Sequence, residues 1–206
     1  MLVDVDQEQL LRTVTKVTSI LRASGIPFAI AGGCAVYAHG GPATEHDVDV
    51  LVTEDDAAAA RQALVAEGMR AVDPPEDWLT KAYDGDRLVD LIYRPNQREV
   101  THELLGRADE RRIGPARAPV LPATDVLVDK LLVLEEHRCD FTPLLPIARA
   151  LREQVDWSRV ARETAASPYA RAFLTLLAEL GIVHARDLSG TLRAVPEGGT
   201  ADVRPG

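Results

Sequence analysis

Aromatic side chains are scarce in this 206-residue chain, where Phe, Trp and Tyr together make up 4%. A core with so few rings has to be filled by aliphatic residues, and the hydrophobic content of 46% is enough for one. Cysteine is scarcer still. Cys34 and Cys139 are too few for a disulfide framework, no Cys/His set has zinc-ligand spacing, and a reducing cytoplasm is the expected setting. No apolar run approaches the ~18 residues of a membrane span. The start, Met1-Leu2-Val3-Asp4-Val5-Asp6, is acidic and lacks the basic opening of a secretory signal. Positive charge is also short: 23 Lys and Arg against 32 Asp and Glu leave a net charge of −9. That argues against a protein that coats nucleic acid, because neutralising phosphates needs a basic face. The densest basic group, Arg98, Arg107, Arg111, Arg112 and Arg117, is interleaved with Glu103, Asp109 and Glu110 and reads equally well as a solvated face.

What the chain does have is periodicity and punctuation. Leu10, Val14, Val17 and Leu21 form one stripe of a helix over 7–24, stopped by Gly25 and Pro27. Phe28 to Ala31 reads as a short buried strand, followed by Gly32-Gly33 and a brief helix from Cys34 to His39. Val48 to Val52 is a second strand, and Thr53 followed by Asp56 caps an alanine-rich helix over 54–67. Met69 to Val72 reads as a strand, and 79–93 as a hairpin turning at Asp84-Gly85-Asp86. From Thr124 the pattern becomes helical, with Leu127, Leu131 and Leu134 on one stripe and further helices over 147–154, 157–164 and 169–180. The expected organisation is an α/β part over 1–120, a helical part over 121–188 packed on it, and a Gly- and Pro-rich frayed tail over 189–206.

One segment departs from propensity. In Asp47-Val48-Asp49-Val50-Leu51-Val52 two aspartates occupy an apolar strand, a poor place for them. Residues two apart in a strand share a face. At ~4 Å their repulsion is about 1 kcal/mol in water and about 4 kcal/mol at an effective dielectric of 20. A divalent cation reverses the sign of that repulsion, and Mg²⁺ accepts one or two carboxylates beside water and phosphate oxygens. Asp90, inside Val89-Asp90-Leu91, supplies a third acid and permits a two-metal site. Gly32-Gly33, at a strand end before a helix, lets backbone approach a phosphate.

This ordered set resembles the DNA polymerase β-like nucleotidyltransferase superfamily: a Gly-Gly turn, a short helix, a strand with Asp47 and Asp49, and the later acid Asp90. The resemblance covers about residues 25–95. It implies an α/β nucleotidyltransferase core, a mixed β-sheet flanked by helices, with a C-terminal helical bundle. It also implies an NTP substrate, two Mg²⁺ ions, and transfer of a nucleoside monophosphate with release of pyrophosphate. Gly32 and Gly33 would then contact triphosphate, Asp47 and Asp49 would bind both metals, and Asp90 would complete the metal site and activate the acceptor hydroxyl. Lys130, with Arg138 and Asp140, is similar to a segment of abortive-infection toxins, whose members include enzymes that modify the 3′ end of tRNA. On that likeness Lys130 offsets triphosphate charge, and an antitoxin partner is expected. A small-molecule acceptor, as in antibiotic-inactivating relatives, fits the acidic net charge, and a non-catalytic nucleotide-binding module is the reading from another class.

The chain departs from the family pattern in places. Members often carry Arg-x-Thr-x-Asp before the second acid, whereas here Pro42-Ala43-Thr44-Glu45-His46-Asp47 has no arginine. Thr44 stays a candidate for binding the nucleotide. His46 reads either as a donor to phosphate or as a solvated loop end. Cys34, where serine or another small residue is common, reads as a neighbour of the triphosphate or as a buried small residue. Trp78 and Tyr83 read as base-stacking rings or as hairpin core.

Overall fold

The computed structural model describes residues 5–44 and 47–188. The expected tail over 189–206, His46, and the acidic start lie outside the described residues. The first helix, α1 (Val5–Ala23), buries the stripe read from sequence, with Leu10, Val14, Val17 and Leu21 each at most 1% exposed. After β1 (Ala29–Ile30) comes α2 (Gly32–Ala38), which takes both glycines into its first turn instead of leaving them ahead of it. Then follow β2 (Val48–Leu51), α3 (Glu54–Ala66), β3 (Arg70–Val72), β4 (Leu79–Asp84) and β5 (Arg87–Ile92). The Thr53 cap of α3 forms as expected: its hydroxyl accepts from the Asp56 N–H at 3.3 Å and donates to the Asp56 carboxylate at 2.7 Å.

Three elements were not read from the sequence: α4 (His102–Gly106), β6 (Asp109–Ile113) and β7 (Ala116–Val120). Together β6 and β7 make an antiparallel hairpin that holds three of the five arginines of the basic stretch. Its outer strand carries one buried residue, Ile113, so little period-2 signal betrays it.

All seven strands form one mixed sheet in the order β3-β4-β5-β2-β1-β7-β6. Its centre places β2 parallel to β5 and antiparallel to β1. The hairpin tip is tied to α1 through Asp84, whose carboxylate accepts from the Thr13 hydroxyl at 2.9 Å and from Lys16 at 2.8 Å. Four more helices follow: α5 (Ala123–Leu132), α6 (Leu144–Leu151), α7 (Trp157–Glu163) and α8 (Pro168–Glu179). Pro143 and Pro146 sit at the start of α6, where a missing N–H costs no helical bond.

What fixes α5 is an ionic junction. Asp125, 4% exposed, accepts from Arg159 of α7 at 2.6 Å and forms an ion pair with Arg107 at the end of α4 at 3.2 Å. Arg159 also reaches Glu163 at 2.6 Å, and Glu163 takes Arg98 at 3.2 Å. Two arginines of the supposed basic face are thus consumed internally. His39, buried behind α2, adds a second tie, with its ring nitrogens 3.1 Å from Gln154 Oε1 and 2.8 Å from the Leu121 carbonyl oxygen. Replacing Asp125 by Ala removes the partner of Arg107 and one of the two partners of Arg159, so we expect a loss of about 1–3 kcal/mol. Urea denaturation measures it.

Candidate active site

The parallel pairing of β2 and β5 sets Asp49 directly beside Asp90, one sheet spacing of roughly 4.8 Å away. Lys81 of β4 is the next partner across from Asp90. Asp47, exposed, comes just before β2 and lies near enough to Asp49 and Asp90 to push both carboxyls up. Asp49 and Asp90 therefore share a face, with Asp47 close by. Among the described residues, no group of three or more His, Cys, Asp or Glu is placed so that it could hold a metal ion.

The glycines turn out to be cradles for side chains. Gly32 has φ +55°, and a Cβ there would lie 1.7 Å from Asp49 Oδ2. A Cβ on Gly33 would meet the Thr44 hydroxyl at 2.5 Å. Both positions therefore need hydrogen in place of a methyl. The Gly33 N–H, expected to meet phosphate, donates to the Asp49 carboxylate. Thr44 is thus brought against the turn, while Cys34 faces inward at 1% exposure. Burial, then Asp49, push the Cys34 thiol up to about 12, so only its backbone is available to a ligand.

Burial also pushes Asp49 up to about 6; Lys130 pulls it down and Asp47 pushes it further up. Asp90 is raised to about 6 by burial too, with Lys81 opposing and Asp49 and Asp47 reinforcing. The Asp90 Oδ1 atom is buried without a hydrogen-bond partner. Burial lowers Lys130 from its ordinary value, against the attraction of Asp49. Among the described residues, neither Lys130 nor Arg138 forms an ion pair within 4 Å.

Asp49, Gly32 and Lys130 open onto a cleft of about 810 Å³. Leu51 and Ile92 line it, and so do Trp78, Arg94, Asp129 and Arg138. Sequence reasoning missed Arg94, Asn96, Gln97 and Asp129, which carry no motif; only the backbone brings them here. Burial raises Asp129 to about 6, with Arg98 opposing. Asp140, the third member of the toxin-like segment, is exposed and accepts from the Thr142 N–H at 2.9 Å. Tyr83 takes Arg70 on its ring face at 4.7 Å.

A family described as uncharacterised nucleotidyltransferase matches residues 2–185. The chain belongs to that family. This nucleotidyltransferase is also similar to solved structures. The antibiotic-resistance factor ANT(2'')-Ia in solution is 18% identical, with a TM-score of 0.61 over 88% of this chain and 100% of that one. Its complex with adenylyl-2''-tobramycin is 16% identical, with a TM-score of 0.58 over 82% and 99%. An antigenic nucleotidyltransferase-like protein from Paracoccidioides brasiliensis is 18% identical, with a TM-score of 0.50 over 90% and 93%. These likenesses show the fold. No curated protein matches the chain. No helix among the described residues is long and apolar enough to cross a membrane.

Two outcomes follow for the nucleotidyltransferase. Without divalent ions, the folded chain keeps protons on Asp49 and Asp90 that the unfolded chain releases from pH 3.8 upward. Stability then falls as pH rises from about 4 through 6, by at most about 3 kcal/mol for the largely buried Asp49 and by less for Asp90, which solvent screens. Asp49→Asn keeps an acceptor for Gly33, so in chelator it should be more stable than the parent at pH 8 and not at pH 4, as read by urea melts. Gly32→Ala should lose activity and cost more than the ~1–2 kcal/mol of left-handed backbone alone. Gly68→Ala is the control, since its φ is +88° and nothing lies within 4 Å of the added carbon.

Proposed function

We propose that this nucleotidyltransferase moves a nucleoside monophosphate from an NTP to a hydroxyl of a small molecule, with Mg²⁺ held by Asp47, Asp49 and Asp90. The observation that carries this reading is the side-by-side placement of Asp49 and Asp90, one with its oxygen pressed against Gly32 and the other with a buried unpartnered oxygen. The donor set is all hard oxygen, which suits Mg²⁺, and that ion needs only one or two carboxylates beside water and phosphate. Bound there, it would supply charge neutralisation for phosphoryl-type transfer.

The chain's own residues do the rest. The acceptor oxygen forms a bond to the α-phosphorus while the bond from that phosphorus to pyrophosphate breaks. Asp90 takes the hydroxyl proton, as a carboxylate within reach of the acceptor oxygen can. Lys130 and Arg138 sit in the cleft to balance the departing pyrophosphate. Thr44, lying against Gly33, and the Gly32-Gly33 backbone shape the floor on which the phosphates rest.

Two points support a small acceptor over the 3′ end of tRNA. The net charge of −9 disfavours RNA, and Arg98 and Arg107 are each paired with a carboxylate, Glu163 and Asp125. A protein of the same fold has been solved with adenylyl-2''-tobramycin. The toxin-like reading, with its antitoxin partner, draws on Lys130, Arg138 and Asp140, of which Asp140 is engaged with its own turn.

Labelled NTPs with Mg²⁺ and a panel of hydroxyl-bearing small molecules, run in parallel with total RNA, test this. Label should pass to a small molecule and drop by at least ~100-fold in Asp47→Ala, Asp49→Ala and Asp90→Ala. Transfer to RNA alone, or label transfer that survives the aspartate variants, refutes the reading.

A further inference from the structure

We infer that the base of the NTP is held in the cleft between the wall carrying Trp78 and the wall carrying Val133, so that Trp78 determines nucleotide affinity. This deepens the nucleotidyl-transfer reading above and rests on it. Four large hydrophobic residues stand exposed among the described residues, and two of them, Trp78 and Val133, each 37% exposed, line this one cleft. The other tryptophan, Trp157, is 6% exposed and spends its indole N–H on the Arg152 carbonyl oxygen at 3.0 Å. An exposed indole in so ring-poor a chain needs a reason, and a planar ligand is one.

Backbone ties hold Trp78 in place. Its carbonyl oxygen accepts from the N–H groups of Tyr93 and Arg94, both at 3.1 Å. The preceding Asp77 carbonyl oxygen accepts from the Tyr93 hydroxyl at 3.0 Å and from the Arg94 guanidinium at 2.9 Å, and the Asp77 carboxylate takes a further bond from Arg94 at 2.9 Å. The same wall continues into Asn96 and Gln97, two successive non-glycine residues with φ of +52° and +60°. Such backbone costs of order 1–3 kcal/mol per residue and persists where the surroundings enforce it. Asn96 donates to the Asp129 carbonyl oxygen at 3.4 Å, which joins this strap to α5.

The direction of the ligand follows from charge. Gly32, Asp49, Lys130 and Arg138 line the same cleft, so the phosphates belong at that end. Leu51 and Ile92 are paired on adjacent strands and continue the surface as an apolar floor. The nucleoside attached to those phosphates therefore lies over that floor, with its base against Trp78. Asp90, which takes the hydroxyl proton, is outside this lining, so the acceptor approaches from beside the cleft.

The test compares two ligands in Mg²⁺ without acceptor: an ATP analogue with an unreactive α,β bridge, and inorganic tripolyphosphate. Calorimetry should show Trp78→Ala weakening the analogue about 5- to 150-fold, as expected for one stacked base, with tripolyphosphate within twofold of the parent. Trp78→Phe should restore most of the loss, and purine analogues should bind more tightly than pyrimidine ones. The analogue should quench tryptophan emission in the parent but not in Trp78→Phe, where Trp157 remains. If the parent binds both ligands and Trp78→Ala changes neither affinity, or both equally, this inference falls while the function stands. If the parent binds neither ligand, both fall.

Discussion

The Asp49 carboxylate lies where the side chain of residue 32 would be, and much of the fold is arranged around that contact. The turn from β1 into α2 is possible only because residue 32 lacks a Cβ and adopts a left-handed φ. That turn aims the Gly33 N–H at the carboxylate and lays Thr44 against Gly33. Parallel pairing of β2 with β5 then delivers Asp90 to the other side of Asp49 without any contribution from a loop. The site is a property of the sheet register. A slip by one residue would turn all of these acids to the opposite face.

The sheet brings like charges together, and the helical part answers them. Lys130 is carried by α5, and α5 is held by Asp125 between Arg159 and Arg107. The buried ion junction stands one turn and a little more from the lysine, at the five-residue separation of Asp125 and Lys130. A rigid helix thus transmits the placement of one charge to another. Breaking such a junction is costly because the groups left behind are desolvated and unmatched. Helix α5 and Arg138 beyond it therefore line the cleft together with the sheet, while α7 holds α5 in place through Arg159.

Much of the architecture was legible because burial is periodic. The α1 stripe, the Thr53 cap, the β4–β5 hairpin and the acid inside its second arm all leave marks in local sequence. Asp49 and Asp90 could be picked out because a strand interior disfavours them, whereas Asp47, read as part of the strand, lies just before β2. The β6–β7 hairpin was not legible. Its residues Asp109 to Arg112 are charged, Pro119 argues against a strand, and β1 meets it at the single pair Ile30 and Val120. The cleft wall was hidden for another reason. Trp78, Arg94, Asn96 and Asp129 are close only after the sheet and α5 have met, and no spacing rule encodes that meeting.

The two thiols differ in a way that an experimenter can use. Cys34 is sealed beneath the acids, and protonation is favoured so strongly that alkylating reagents and mild oxidants will pass it by. Cys139 is exposed and follows directly after Arg138, which lines the cleft. A maleimide dye added to the unaltered chain will therefore attach at one place, next in the chain to a residue of the cleft wall. Nature has left a single labelling handle there, and no cysteine needs to be engineered in or out.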